Sequence, residues 1–282
     1  MISLRLAPLG ALMLFSAAAP SCMLLEPNVW VEETDRIVID AEQLGGLALT
    51  THNGTVNVRG EEGRDDIEIT IHKSAGGQDE LDAQRALEAI ELLTETQGSF
   101  QDVRWRWNPS RQSGWGAKVA YEVVMPAHLA LRAKTHNGGI EIGDIQGETE
   151  LETHNGRLSV RGDRLAFLRG ETHNGRIEVA APLERLELVT HNGRVEVDLL
   201  GSDRVGGTIR SHNGRITLRA DEDISARFHC RTHNGGFTVK LPGSVEKDGK
   251  HSLVAVSGGG GETLDIETHN GSVSLLSNRR VD

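Results

Sequence analysis

The chain has 282 residues, 37% of them hydrophobic but only 4% aromatic, and a net charge of −11. That length admits one large domain or two small ones, with a core of Val, Ile and Leu rather than rings. Abundant Gly (33) beside scarce Pro (7) suits an ordered chain with many tight turns, and the acidic balance argues against nucleic acid, which needs a basic surface.

Residues 1–21 read as an export signal: Arg5 as the charged start, 6–15 as an apolar stretch, and 16–21 as a small-residue region. The apolar stretch is too short for a lasting membrane span. Ala19-Pro20-Ser21-Cys22 resembles a bacterial lipobox, although Ala19 stands in for the usual Leu and Pro20 departs from the pattern. The resemblance implies lipidation at Cys22 and, from Met23 beside it, an outer-membrane lipoprotein. A cleaved signal with a periplasmic or secreted product is the alternative. Residues 22–35 then form a linker to the anchor, and 36–282 a repeat domain. Cys230 is the other cysteine, on the apolar parity of its strand, and reads as a small buried hydrophobe.

The first Thr-His-Asn-Gly tetrad begins at Thr51, and residues 61–126 separate it from the later copies. Within this interruption Ile67, Ile69 and Ile71 alternate as a strand. Residues 79–95 carry Ala83, Ala86, Leu87, Ile90 and Leu93 on one helical stripe. Val103, Trp105 and Trp107 alternate again, as do Val119, Tyr121 and Val123. A cap over the open end of a repeat array is the expected role. Trp105, Trp107 and Trp115 read as cap packing, with a carbohydrate platform as the alternative.

The tetrad recurs from Thr135, Thr153, Thr172, Thr190, Thr232 and Thr268, with Ser211 opening a variant copy. From His136 to His233 the spacings are 18, 19, 18, 21 and 21 residues, and His269 comes after 36 more. Two residues after each Gly stands Val56, Ile140, Leu158, Ile177, Val195, Ile216, Phe237 or Val273, with a second aliphatic two further on. Strict alternation marks strands with one buried face. Thr shares the inward parity, and His faces out. The turns are Asn53-Gly54, Asn137-Gly138, Asn155-Gly156, Asn174-Gly175, Asn192-Gly193, Asn213-Gly214, Asn234-Gly235 and Asn270-Gly271, where Gly supplies positive φ and Asn tolerates left-handed geometry. Two architectures accommodate them: hairpins closed by Asn-Gly, or a β-solenoid whose rungs stack in parallel. The even 18–21-residue period favours an all-β, β-helix-like solenoid, in which Thr, His and Asn form ladders. The glycine run at 258–261 has no phosphate-loop context and reads as a flexible loop.

The run Val119-Ala120-Tyr121-Glu122-Val123-Val124-Met125-Pro126, with Leu129, Leu131 and Thr135-His136-Asn137-Gly138-Gly139-Ile140-Glu141-Ile142, resembles the bacterial "putative-adhesin" β-strand-repeat family, the domain of unknown function numbered 4097. The resemblance covers roughly residues 36–276. It implies a solenoid-like fold at the cell envelope and supplies no catalytic residues; a His-Asn pair in every copy is more specialised than that family's Thr-x-x-Gly pattern.

The leading functional expectation is a non-enzymatic envelope protein, adhesive or scaffolding, anchored to the membrane by its lipid. Its partner would be an envelope protein or a surface polysaccharide, with no cofactor and no nucleic acid. Outward Arg157, Arg176, Arg194 and Arg215, with Glu141, Glu178 and Glu196, read as a solvated, ion-paired face. The alternative is metal binding by His136, His154, His173, His191, His212 and His233, flanked by His52 and His269, because neutral imidazole ligates Zn, Cu and Ni and adjacent rings could share an ion. Neither Cys nor a fixed carboxylate joins the tetrad to close a tetrahedral site. Enzymatic catalysis needs one cluster of unlike groups, whereas the repeats spread the same groups evenly. Stacked imidazoles would repel when charged, which places their pKa values below the reference of about 6.5.

Overall fold

Each tetrad ends one strand and opens the next, and the two strands lie in different sheets. The structure, a computed structural model, describes residues 26–246 and 249–278; the proposed signal peptide and Cys22 lie outside them. One sheet has 11 strands and the other 12. Within each, repeat strands run parallel and in register, as in Thr149–Asn155 against Leu168–Asn174, where Thr153 faces Thr172 and Asn155 faces Asn174. On the far side of the corner Leu158–Arg161 pairs in parallel with Ile177–Ala180. The two strands joined by a tetrad therefore do not pair with each other, which excludes the hairpin arrangement for the repeats. The fold is an all-β solenoid of two facing sheets.

The core is the space between the sheets. Inward residues such as Leu151, Leu158, Val160, Leu168, Ile177 and Val179 are at most 3% exposed. Aliphatic side chains make up most of this core, with the rings of Tyr121 and Phe228 fully buried among them. Ile145, Leu165, Leu183, Val205 and Ile224 are buried in the connections that return each rung to the next, and a parallel bridge between Leu165 and Leu183 marks this short third side. Cys230 is fully buried in the same core, and burial pushes its thiol up to about 12.

The rungs do not stack in chain order. Gly206–Asn213 pairs with Thr263–Asn270, which pairs in turn with Ala226–Asn234. The last tetrad is thus inserted between the sixth and seventh. Ser252–Ser257 runs antiparallel to Ala226–Asn234 and covers the outer edge, with Ser244–Glu246 beyond it. The loop at 258–261, with all four glycines at positive φ, then carries the chain back to the inserted rung.

Residues 61–126 close the other end. Phe100–Trp107 pairs in parallel with Gly46–Thr50, and Gly116–Pro126 with Val56–Glu61. Antiparallel strands Ile90–Gln97 and Asp66–Gly77 then flank them. Val29–Asp40 pairs along its length with Asp66–Gly77, so residues 29–35, expected as linker, belong to the sheet. The helix expected over 79–95 is confined to Glu80–Glu88. Asp79 caps it, accepting from the Asp82 amide at 2.8 Å, and Ala83, Ala86 and Leu87 are buried. Ile90 and Leu93 lie instead on the edge strand, where pairing with Phe100–Trp107 satisfies the backbone that a longer helix would have satisfied internally. Among the described residues no helix is long and apolar enough to cross a membrane.

Candidate functional site

The repeated tetrad builds four parallel ladders. Each Thr is buried, and its hydroxyl donates to the carbonyl of a neighbouring rung: Thr153 to Gly138 at 2.9 Å, Thr172 to Gly156 at 3.1 Å, Thr190 to Gly175 at 3.2 Å. Ser211 does the same to Gly193 at 3.2 Å, which explains why only a hydroxyl is needed there. The Asn amides form a second chain. Asn155 donates to Asn137, Asn174 to Asn155, Asn192 to Asn174 and Asn213 to Asn192, all at 2.8–2.9 Å. The inserted rung keeps the chain unbroken, with Asn270 donating to Asn213 and Asn234 to Asn270 at 2.8 Å each. At the capped end Asn137 donates to Asn53 at 2.8 Å, and Asn53 to the Ala117 carbonyl at 3.3 Å.

The glycines serve a purpose other than the expected one. None of the eight tetrad glycines or asparagines has positive φ. A Cβ on Gly156 would instead sit 1.9 Å from the Gly138 carbonyl oxygen, and one on Gly175 1.8 Å from that of Gly156. Gly54, Gly138, Gly193, Gly214, Gly235 and Gly271 face the same obstruction at 1.7–2.0 Å. The carbonyl that blocks each Cβ is the one that accepts the Thr or Ser hydroxyl of the same tetrad. Gly is required because the rungs approach closely at this corner, and the turn itself places no demand on handedness.

The histidines form the outer ladder. Spatial order runs His52, His136, His154, His173, His191, His212, His269, His233, with ring centroids 4.6–4.9 Å apart throughout. Planes of successive rings differ by 1–7°, except for 17° between His136 and His154. His251, outside any tetrad and invisible to the repeat pattern, extends the row at 6.0 Å from His233. Desolvation, and then the neighbouring His154 and His52, hold His136 below the ordinary imidazole value.

This geometry corrects the expectation of ions shared between rings. A ligating nitrogen directs its lone pair in the ring plane, at about 2.0–2.1 Å for zinc. Parallel rings stacked at strand spacing hold their lone pairs in separate planes, so an ion bonded to one lies out of the plane of the next. Among the described residues no group of three or more His, Cys, Asp or Glu side chains is placed to hold a metal ion.

The histidines form one wall of an open groove of about 1300 Å³ on the outer face of the 12-stranded sheet. The opposite wall is the row of residues preceding each Thr, including Lys134, Glu152, Glu171, Val189, Arg210 and Glu267. Trp105 and Trp107 stand at the capped end. Trp105 donates its indole N–H to Thr51 at 3.2 Å, packs edge-on against Trp107 at 5.7 Å, and Trp107 meets buried Trp115 at 5.7 Å. Trp115 donates to Asp82 on the cap helix at 2.8 Å. The cluster ties the cap together, and two of its rings also border the groove. Across the corner the arginines are paired: Arg176 lies 2.6 Å from Glu178, which also holds Arg157, and Arg194 is 3.4 Å from Glu196.

No protein-family model matches the chain, and no curated protein matches it. Among solved structures it is similar to a "putative cell adhesion protein" from Clostridium sporogenes ATCC 15579, at 10% identity and TM-score 0.38, over 88% of this chain and 100% of that one. It is similar to a "putative adhesin" from Bacteroides fragilis NCTC 9343, at 10% identity and TM-score 0.42, over 87% and 97%. A "putative lipid binding protein" from Parabacteroides distasonis ATCC 8503 matches at 13% identity and TM-score 0.33, over 89% and 96%. Likeness at this level bears on neither ligand nor activity.

Proposed function

We propose that this chain is a non-enzymatic protein of the cell envelope, an adhesin or surface scaffold that holds an extended partner along its histidine-lined groove. The groove itself carries the reading: it runs along successive in-register rungs from Trp107 to His269 and is roughly 30 Å long at the ordinary strand spacing. Solenoids present such long, regular faces to extended ligands. Catalysis calls for one cluster of unlike groups with separated pKa values, and a groove that repeats the same side chains at every rung supplies none. Export by residues 1–21 and acylation at Cys22 would set this face outside the cytoplasm; fatty-acid labelling that persists in Cys22→Ala would refute the anchor.

Arrays of surface polysaccharides and envelope proteins, probed with the mature chain, test the groove. Binding should disappear in Val189→Glu, which fills the groove without adding positive charge, and survive in Glu196→Gln on the opposite sheet. A ligand held equally well by Val189→Glu would place recognition elsewhere on the molecule.

A further inference from the structure

We propose that the groove is an acid-gated site for an extended, carboxylate-bearing polysaccharide, held by the histidine row as its imidazoles take up protons. This rests on the reading of the groove as the ligand face and names the class of ligand.

The charge of the lining supports it. Arg106, Lys134 and Arg210 face the groove, and so do Glu152, Glu171 and Glu267, so the fixed charges cancel. Several are also committed to each other or to the cap: Lys134 lies 2.7 Å from Glu152, and Arg106 2.7 Å from Glu91. Across the corner Arg157, Arg176 and Arg194 are matched by Glu178 and Glu196, and Arg215, exposed at the corresponding position after Gly214, is not part of the groove lining. Beyond the far end His229 and Arg231 both approach Asp265, at 3.1 and 3.7 Å. What remains free to change the sign of the groove is the histidine wall, seven rings of which line it. Imidazole is the side chain that titrates between about pH 5 and 8. The fixed charges leave the groove near neutral, so each proton the row takes up in mild acid makes it more cationic.

Stacking makes the change depend on a ligand. With rings 4.6–4.9 Å apart, each proton added to the row disfavours the next. A row of anionic groups laid beside the rings relieves that repulsion, so binding and proton uptake favour each other. The charges lie on one line along a single groove, which fits one extended strand rather than a duplex. The carboxylates on the facing wall accept hydrogen bonds from free hydroxyls on the side of a sugar chain turned away from the histidines, donors that a deoxynucleotide backbone lacks. Trp105 and Trp107 at the closed end add aromatic surface on which a sugar ring can pack.

The test is calorimetry of the mature chain with polygalacturonate at about pH 5.5 and about pH 7.5, on either side of the imidazole reference, in buffers of different ionisation heat. We expect binding about tenfold or more tighter in acid, with net proton uptake. The triple variant H154Q/H173Q/H191Q should keep the wild-type circular dichroism and show a smaller pH dependence with less proton uptake than the wild type; wild-type proton uptake in it would overturn the assignment to the histidine row. Equal affinity at both pH values, absence of proton uptake by the wild type, or no binding of polygalacturonate overturns the inference. Equal binding of oligothymidylate overturns the choice of a sugar chain. Uncharged dextran held equally at both pH values, and lost in Val189→Glu, overturns the acid gate while leaving the groove as the ligand face.

Discussion

The side-chain amide of Asn174 donates to Asn155 at 2.9 Å while its own oxygen accepts from Asn192 at 2.8 Å. Every internal Asn of the row stands in this double role, so the repeat is joined across its rungs by side chains as well as by backbone.

Asn174→Ala removes both bonds and leaves an unpaired group on each neighbour. At the net worth of ordinary hydrogen bonds, and with these side chains exposed, the expected cost is about 1–2 kcal/mol. Urea unfolding measures it. A change within experimental scatter would mean that water replaces the ladder without loss.

Gly175→Ala should cost more than removal of any ladder amide. Its Cβ would press on the Gly156 carbonyl, a backbone atom that moves only if the rungs part. Overpacking of this kind costs about 3 kcal/mol or more. Gly143→Ala, where a Cβ meets nothing within 4 Å, is the control and should be near neutral. Equal melting temperatures for the two variants would refute close approach as the reason for the tetrad glycine.

Acid should weaken the fold through the histidine row. His136 binds its proton less readily in the folded chain than in the unfolded one, because of desolvation and its two ring neighbours. The unfolded state therefore binds more protons between the two values, and stability falls as pH drops from the unfolded value of about 6.5 through the lowered folded one. Above that window His136 contributes no pH dependence. NMR titration of His136, with unfolding measured across the window in wild type and His136→Gln, checks both sign and source. Titration of His136 above the reference value would reverse the argument.

Removal of residues 263–282 should do more than shorten the stack. In chain order it would trim an end; in the observed order it leaves Ala226–Asn234 without the strand that joins it to Gly206–Asn213. Hydrogen exchange should show protection lost across 226–239 while the rungs from His136 to His191 stay protected. Retained protection at 226–234 would mean that this strand can close directly onto the His212 rung.

Much of this was legible in the residues. Alternation around each tetrad put Thr and the aliphatics inside and His outside, because strand parity is a local property with period two. The even spacing pointed to parallel rungs, and hence to rows of identical side chains. The cap was legible only in outline: Ile90 and Leu93 fit a helical stripe as well as an edge strand, and pairing with Phe100–Trp107 decided between them. His251 joined the row without any tetrad to announce it.

The amino-acid sequence by itself determined the rung: its length, its two strands, its inner and outer faces and the four residues of its corner, all set by short-range geometry. Tertiary structure alone decided what lies next to what. It placed His269 between His212 and His233, set the walls of the groove, and turned the tetrad glycine from a turn residue into a point of backbone contact. The reason is the repeat: rungs with the same edge chemistry pair about equally well in several orders, so the choice falls to connections and caps that no single rung encodes.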